Sequence, residues 1–420
     1  MADEVNLIIT LNRPQYPVLA TDQIAYVYVE AQPTAVVLQA GVGHTPLNLA
    51  LVLDRSGSMA GQKITDLKEA AKWAVEQLDD RDQVSIVVFD DRAEVIVPSQ
   101  PAVNKTAVLA QIERIDERGG TSMSLGIQQG LDQLQAGAGP GRVSRMLLLT
   151  DGETWEDEGQ CRQLAQQAAQ MGIPLTALGL GEEWNQNLLT DLASLSGGTW
   201  EYIDTPDKMA PAFSQVVQAM QGVVATNASL TLRLVTGVRP RAVWRVAPLI
   251  DRLSHNALSE RDVQVYLGDL PSKGQSVLVE LTMPPRQAGD YRMVQAELMY
   301  DAPGSQQTAA RARQDVMVTF TGDEVVAQGV NGRVMNVVEK VTAFKLQTQA
   351  LDEAAVGQMA GATRKLRAAA TRLLNLGETE MAQQAQAAAD QMEAGQQLSG
   401  RETKRLYTAT RKLDMSDLLG

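Results

Sequence analysis

The chain is poor in several residues that commonly carry chemistry. Among 420 residues there is one cysteine, Cys161, which excludes an internal disulfide and fits a reducing compartment. Histidine occurs only at His44 and His255, and neither lies in a metal-ligand or catalytic pattern. Basic residues are outnumbered: 37 Lys and Arg against 50 Asp and Glu leave a formal net charge of -13. An acidic surface repels nucleic acid and anionic membrane, so a general role on either is disfavoured. No apolar run approaches the ~20 residues that span a bilayer. Met1-Ala2-Asp3-Glu4 opens the chain with acid instead of a basic leader, so a soluble, cytoplasmic protein without an export signal is expected. No fixed-period repeat is visible.

What is present is ordinary globular material, 44% hydrophobic and 21% charged. Its length suits about two or three domains. Residues 1–45 alternate in strand fashion, as in Val5 to Leu11 and Ile24 to Val29. Over residues 46–223 the pattern becomes strand, helix, strand, with candidate strands Leu47 to Leu53, Gln83 to Phe89, Ala93 to Val97, Arg145 to Thr150, Pro174 to Leu180 and Thr199 to Ile203. That alternation is the mark of a doubly wound α/β domain with a mainly parallel sheet. The helix from about Gln62 to Leu78 buries one stripe, with Trp73 far from it and either exposed or covered by another domain. Asn104 and Asn185 are candidate caps, and Gly197-Gly198 a helix end.

Strand patterns return over residues 224–322, separated by Pro, Gly and Asp, and predict an antiparallel β-sandwich. The N-terminal strands have no helices to cover them, so they are expected to join this sandwich, with the α/β domain inserted between the two parts. Residues 323–420 read as helices. Val330, Val334, Val337, Val341 and Phe344 form one stripe, Met359, Leu366, Ala370 and Leu373 another, and Gly377 and Gly395 mark ends.

Three pieces of the α/β domain fall at strand ends or in adjacent loops, where open α/β sheets place ligands. They are Asp54-Arg55-Ser56-Gly57-Ser58, Gly119-Gly120-Thr121-Ser122 and Thr150-Asp151-Gly152-Glu153. Each offers oxygen and none a soft ligand, which suits Mg²⁺, an ion that takes about six hard oxygens in near-octahedral array. Asp-x-Ser-x-Ser alone is also a common turn or helix cap; three such pieces in one domain are more specific.

With these motifs, residues 46–223 resemble the von Willebrand factor A domain family and its metal-ion-dependent adhesion site. The resemblance implies that Ser56 and Ser58 ligate the metal directly, that Thr121 and Asp151 contribute directly or through water, and that Asp54 orients bound water and the serines. It implies Mg²⁺, with Mn²⁺ or Ca²⁺ as alternatives. The flanking β domain and helical tail are similar to bacterial members labelled calcium-activated-channel-like, a label that does not make this chain a channel. Partners implied are proteins offering Asp or Glu to the metal, with an AAA+ ATPase or another member of a multi-protein system as candidates.

Other signals are weaker. Gly137, Gly139 and Gly141 lack the strand-to-helix context and lysine of a phosphate loop. Glu156-Asp157-Glu158 reads as a solvated loop, and Arg364, Lys365, Arg367 and Arg372 as a solvated helix face. Arg401, Lys404, Arg405, Arg411 and Lys412 could dock an acidic partner or the acidic body of the chain itself. The expected function is a non-enzymatic, Mg²⁺-dependent protein-interaction module, with a metal-dependent hydrolase or a scaffold holding a purely structural metal as alternatives. A hydrolase would need a general base, and none lies in the motifs once Asp54 and Asp151 serve the metal.

Overall fold

A computed structural model describes residues 4–35, 38, 45–154, 156–253, 255–259, 261–305 and 307–412, so His44 lies outside the described residues. The chain opens with β1 (Val5–Leu11), β2 (Gln15–Pro17) and β3 (Gln23–Pro33). It then alternates through β4 (Leu47–Asp54), α1 (Gln62–Glu76), β5 (Gln83–Phe89), β6 (Ala93–Pro101), α2 (Lys105–Ile112), α3 (Met123–Ala136), β7 (Val143–Thr150), α4 (Glu158–Gln170), β8 (Leu175–Leu180), α5 (Gln186–Ser196), β9 (Thr199–Ile203) and α6 (Met209–Gln221). Strands return as β10 (Val223–Leu234), β11 (Arg239–Ala247), β12 (Asp251–Leu253), β13 (His255–Ala257), β14 (Asp262–Pro271), β15 (Gln275–Met283), β16 (Gly289–Ala302) and β17 (Gln307–Thr321). The helices α7 (Glu324–Ala327), α8 (Gly332–Ala355), α9 (Met359–Asn375), α10 (Thr379–Glu393) and α11 (Gly400–Arg411) follow. Residues 38–227 with 301–308 form one compact unit, and the flanking segments form the other.

The α/β unit carries a six-stranded sheet in the order β6-β5-β4-β7-β8-β9, parallel except for β6 at the edge. β4 is buried along its whole length because a central strand of a doubly covered sheet meets helices on both faces. Its register with β5 and β7 aligns Asp54 with Phe89 and Leu53 with Leu149, so three strands reach the carboxyl edge together. The α1 stripe of Ile64, Leu67, Ala71, Ala74 and Val75 is buried. Trp73 is half-buried against the core of this same unit, which explains its place off the main stripe without another domain. Asn104 caps α2 by accepting from Ala107 N–H at 3.3 Å, and Asn185 caps α5 by accepting from Leu188 N–H at 3.0 Å. Gly197 closes α5 in the left-handed conformation at φ +75°.

The α3 helix, which follows Gly119-Gly120-Thr121-Ser122, lies unusually close to the sheet. A Cβ at Gly126 would sit 2.7 Å from the Phe89 ring, and one at Gly130 2.7 Å from Val52. Two glycines one turn apart therefore let the helix approach β4 and β5 and bring its first turn to their carboxyl ends.

In the β unit, β3 lies between β1 and β15 in a five-stranded sheet, β1-β3-β15-β11-β12, with Tyr28 opposite Leu278. The second sheet runs β13-β14-β10-β16-β17-β2. N-terminal strands thus complete both sheets of the β-sandwich. β11 and the first half of β17 are the stretches least marked as strand in the sequence, because Arg239-Pro240-Arg241 and the polar stretch Gln307 to Gln314 weaken the alternation there, while β12 and β13, at three residues each, are too short to show one.

Val334, Val337, Val341 and Phe344 of α8 pack with Tyr28, Trp244 and Leu278 of the five-stranded sheet. Val330 does not belong to that stripe. It precedes the helix and is 55% exposed. The far half of α8 joins α9, α10 and α11 in a second cluster around Leu351, Leu366 and Met392. The basic face expected to be merely solvated is ion-paired to neighbouring helices: Lys365 to Glu353, Arg367 to Glu393 and Arg372 to Glu339. Arg411, only 2% exposed, donates to the Ile250 carbonyl and to Asp251, so this basic residue docks on the body of the chain. Among the described residues no helix is long and apolar enough to cross a membrane.

The close approach of α3 gives a direct test. Gly126→Val should overpack the Phe89 contact and destabilise the α/β unit by about 1–3 kcal/mol, read as a lower urea midpoint with unchanged slope. A midpoint equal to wild type would mean that the helix is free to move off the sheet.

Candidate metal centre

The Asp54 turn is built where β4 leaves the sheet. Asp54 is fully buried, and both its carboxylate oxygens are used: Oδ1 accepts the Ser56 N–H at 2.8 Å and Oδ2 accepts the Thr150 hydroxyl at 2.6 Å. The first bond closes an Asx-type turn that swings Ser56 and Ser58 away from the strand axis. Their hydroxyls meet at 3.0 Å, and Ser58 Oγ donates to Asp151 Oδ1 at 2.6 Å. Asp151 itself is 1% exposed at the end of β7.

Thr121 arrives from the remaining piece, Gly119-Gly120-Thr121-Ser122. A Cβ placed on Gly152 would lie 3.7 Å from Ser58 Oγ and 4.0 Å from Thr121 Oγ1, so one point at the strand edge sees both hydroxyls. All five residues named from the sequence, Asp54, Ser56, Ser58, Thr121 and Asp151, stand around this one edge of the sheet.

Backbone and ionic contacts tie the three loops together. Arg55 N–H donates to Phe89 O, Gly57 N–H to Gly119 O, Arg118 N–H to Arg55 O and Ser122 N–H to Asp90 O, at 2.8 to 3.1 Å. Gly119 sits at φ +72°, and a Cβ there would come 2.7 Å from the Asp91 carboxylate that accepts the Gly120 N–H. Only glycine suits that position. The buried Arg55 guanidinium reaches Asp90 at 2.7 Å and Glu94 at 3.0 Å, and Arg118 joins the same two acids. Burial alone would raise the Asp90 pKa, but the Arg92 N–H and the Arg55 and Arg118 guanidiniums outweigh it and hold the carboxyl below its usual range.

Several contributors were not identified from the sequence. Thr150 supplies the hydroxyl that holds Asp54. Lys63, on the first turn of α1, donates to Asp151 Oδ2 at 2.5 Å. Asp157 is not a solvated loop residue, since it accepts the Ser124 N–H at 2.8 Å and the Thr154 hydroxyl, which itself accepts from Met123 N–H. No motif marks a lysine or an aspartate in such a role; they become visible only when the strand ends are brought side by side.

The electrostatics set Asp54 apart. Burial pushes its pKa up from 3.8 to about 6, the Ser56 and Thr150 hydrogen bonds pull it down, and neighbouring Asp151 adds to the rise. A carboxylate in this position holds negative charge at a cost unless a cation lies nearby. Among the described residues no group of three or more His, Cys, Asp or Glu side chains converges as a metal cage. The donor set here is three hydroxyls with two carboxylates, and it fits a hard divalent ion such as Mg²⁺ that keeps part of its water.

Residues 48–218 match the model of the von Willebrand factor type A domain, and residues 332–416 that of the Sll0103-like C-terminal alpha-helical domain. The chain is 34% identical over 267 residues to the uncharacterized protein sll0103 of Synechocystis, covering 63% of each chain. It is 25% identical over 185 residues to the uncharacterized protein YfbK of Escherichia coli, covering 43% of this chain and 32% of that one. The chain thus spans less than two thirds of the length of these relatives. Among solved structures, a von Willebrand factor type A protein from Catenulispora acidiphila superposes with a TM-score of 0.81 at 18% identity, covering 98% of this chain and 97% of that one. The α/β unit is therefore a von Willebrand factor A domain, followed after the β-sandwich by the helical domain.

The raised Asp54 pKa has a defined consequence for stability. Between about pH 4 and 6 the folded protein holds a proton at Asp54 that the unfolded chain releases, so stability falls as pH rises through that window and the deficit persists at pH 7. Asn at position 54 keeps an acceptor for Ser56 N–H, and its amide can donate to Thr150 Oγ1, which already lies 3.2 Å from the Gly152 carbonyl as an alternative acceptor. In chelator at pH 7, Asp54→Asn should melt above wild type, and the two should converge below about pH 4. A variant that melts lower at pH 7 would show that Asp54 bears no uncompensated charge.

Proposed function

We propose that the chain is a non-enzymatic, cytoplasmic protein-interaction module whose α/β domain holds Mg²⁺ at Ser56, Ser58 and Thr121, with Asp151 as ligand or water acceptor and Asp54 orienting the serines from behind. Domains of the von Willebrand factor A type often mediate protein–protein contacts that depend on metal. The observation carrying the proposal is the convergence of hydroxyls from two loops beside Asp151, in front of the buried Asp54. Such a neutral-rich set leaves the ion short of direct negative charge. An Asp or Glu from a partner protein supplies that charge and completes the shell, so the metal becomes the bridge. An AAA+ ATPase or another component of a multi-protein system is the partner class that fits the sequence resemblance.

Recognition is favoured over hydrolysis by what surrounds the site. Cys161 is buried, and burial followed by the Asp157 carboxylate drives its thiol pKa upward, the opposite of an activated nucleophile. His255 lies in β13, outside the α/β unit. Both acids at the cluster already accept hydrogen bonds that fix the loops.

Capture of partners from the native host, with and without chelator, tests this function. Wild type in Mg²⁺ should retain a partner that is lost in chelator and lost with Asp54→Ala or Ser56→Ala, and a phosphatase panel with Mg²⁺ or Mn²⁺ should show no turnover. Turnover that disappears with Ser56→Ala would instead establish the hydrolase.

A further inference from the structure

Lys63 is out of place by the local rules of helix formation. It occupies the second position of the 15-residue α1, whose first turn has no acidic residue, so its charge opposes the positive end of the helix dipole. A cation there needs a compensating anion, and it has one: the ammonium sits 2.5 Å from Asp151 Oδ2. The other oxygen of that carboxylate takes the Ser58 hydroxyl. Both acceptor atoms of a residue expected to serve the metal are therefore engaged by groups of the chain itself.

The two partners in this ion pair differ in freedom. The Asp151 side chain is 0% exposed and fixed at the end of β7, whereas that of Lys63 is 32% exposed on a flexible four-carbon stem. When the charges around Asp151 change, the lysine is the one that can leave. Resting on the metal reading above, the geometry points to Lys63 as a tethered monovalent cation that competes with the divalent ion for Asp151. In the metal-free protein it neutralises Asp151 and lowers the affinity of the site. A divalent cation at the Ser58–Asp151 edge repels the ammonium and turns it toward solvent. Metal occupancy thus sets where one positive charge sits, and the lysine sets how much Mg²⁺ is needed.

A different role would leave the same contact in the structure. Lys63 could hold Asp151 in place for the metal, in which case removing it weakens binding. Calorimetric titration of MgCl₂ at fixed ionic strength and pH 7 into wild type, Lys63→Met and Lys63→Arg separates the two. Competition predicts that Lys63→Met binds Mg²⁺ tighter by about tenfold or more, while Lys63→Arg, which keeps the charge, binds no tighter than wild type. In chelator Lys63→Met should melt below wild type, because Asp151 has lost its counter-charge, and saturating Mg²⁺ should raise its melting temperature by more. Lys63→Gln, which keeps a donor without charge, should follow Lys63→Met and serves if the latter does not fold. Wild-type binding with unchanged or weaker affinity in both uncharged variants overturns the competition while the metal site stands. Absence of Mg²⁺ binding in wild type and all variants overturns the site itself, and the competition with it.

Discussion

The carboxylate of Asp54 is held out of water at the end of the central strand, and much of the α/β domain is arranged around that placement. Its two oxygens set the direction of the serine turn through Ser56 N–H and link β4 to β7 through Thr150. β4 can carry a charged residue at its end only because its seven preceding positions are buried in a sheet covered on both faces, which fixes the strand against slippage. The cost of the buried charge is visible in its raised pKa. One strained carboxylate with hydroxyls lined up in front of it is the arrangement from which the proposed metal site is argued.

Around that centre the loops are latched rather than loose. Arg55 leaves the Asp54 turn and ends in the Asp90–Glu94–Arg118 network, so the same five-residue segment that presents the serines also binds the β5–β6 turn and the Gly119 loop. Lost side-chain entropy is thereby taken up in folding, which leaves the loops around Asp54 largely preformed. Lys63 is the exception, a charged group near the centre with room to move.

The sequence made the fold of the α/β domain legible because its strands are long apolar runs and its helices carry single buried stripes. The five candidate residues stood out because their types and order form a known pattern at strand ends, and the fold brings them to one edge of the sheet. What escaped was pairwise. Lys63, Thr150 as the Asp54 partner, and Asp157 act across separations of 88, 96 and 33 residues, and no local periodicity encodes such contacts. The pairing of the tail cations with acids of adjacent helices escaped for the same reason, since a solvated face and an inter-helix ion-paired face have one pattern in sequence. Val330 was misplaced because an apolar residue just before a helix extends the stripe on paper but not in space. In the β-sandwich β11 is obscured where Arg239, Pro240 and Arg241 break the alternation.

In the proposed function everything turns on a divalent ion bound at the oxygen cluster between the Asp54 turn, Thr121 and Asp151. Crystals grown with Mn²⁺ and measured at a wavelength where manganese scatters anomalously test it most directly. A single strong peak is expected in this domain, within bonding distance of Ser56 Oγ and Ser58 Oγ, and it should be lost in Asp54→Ala. Well-ordered loops with no peak there at saturating Mn²⁺, or a peak held by other residues, would contradict it.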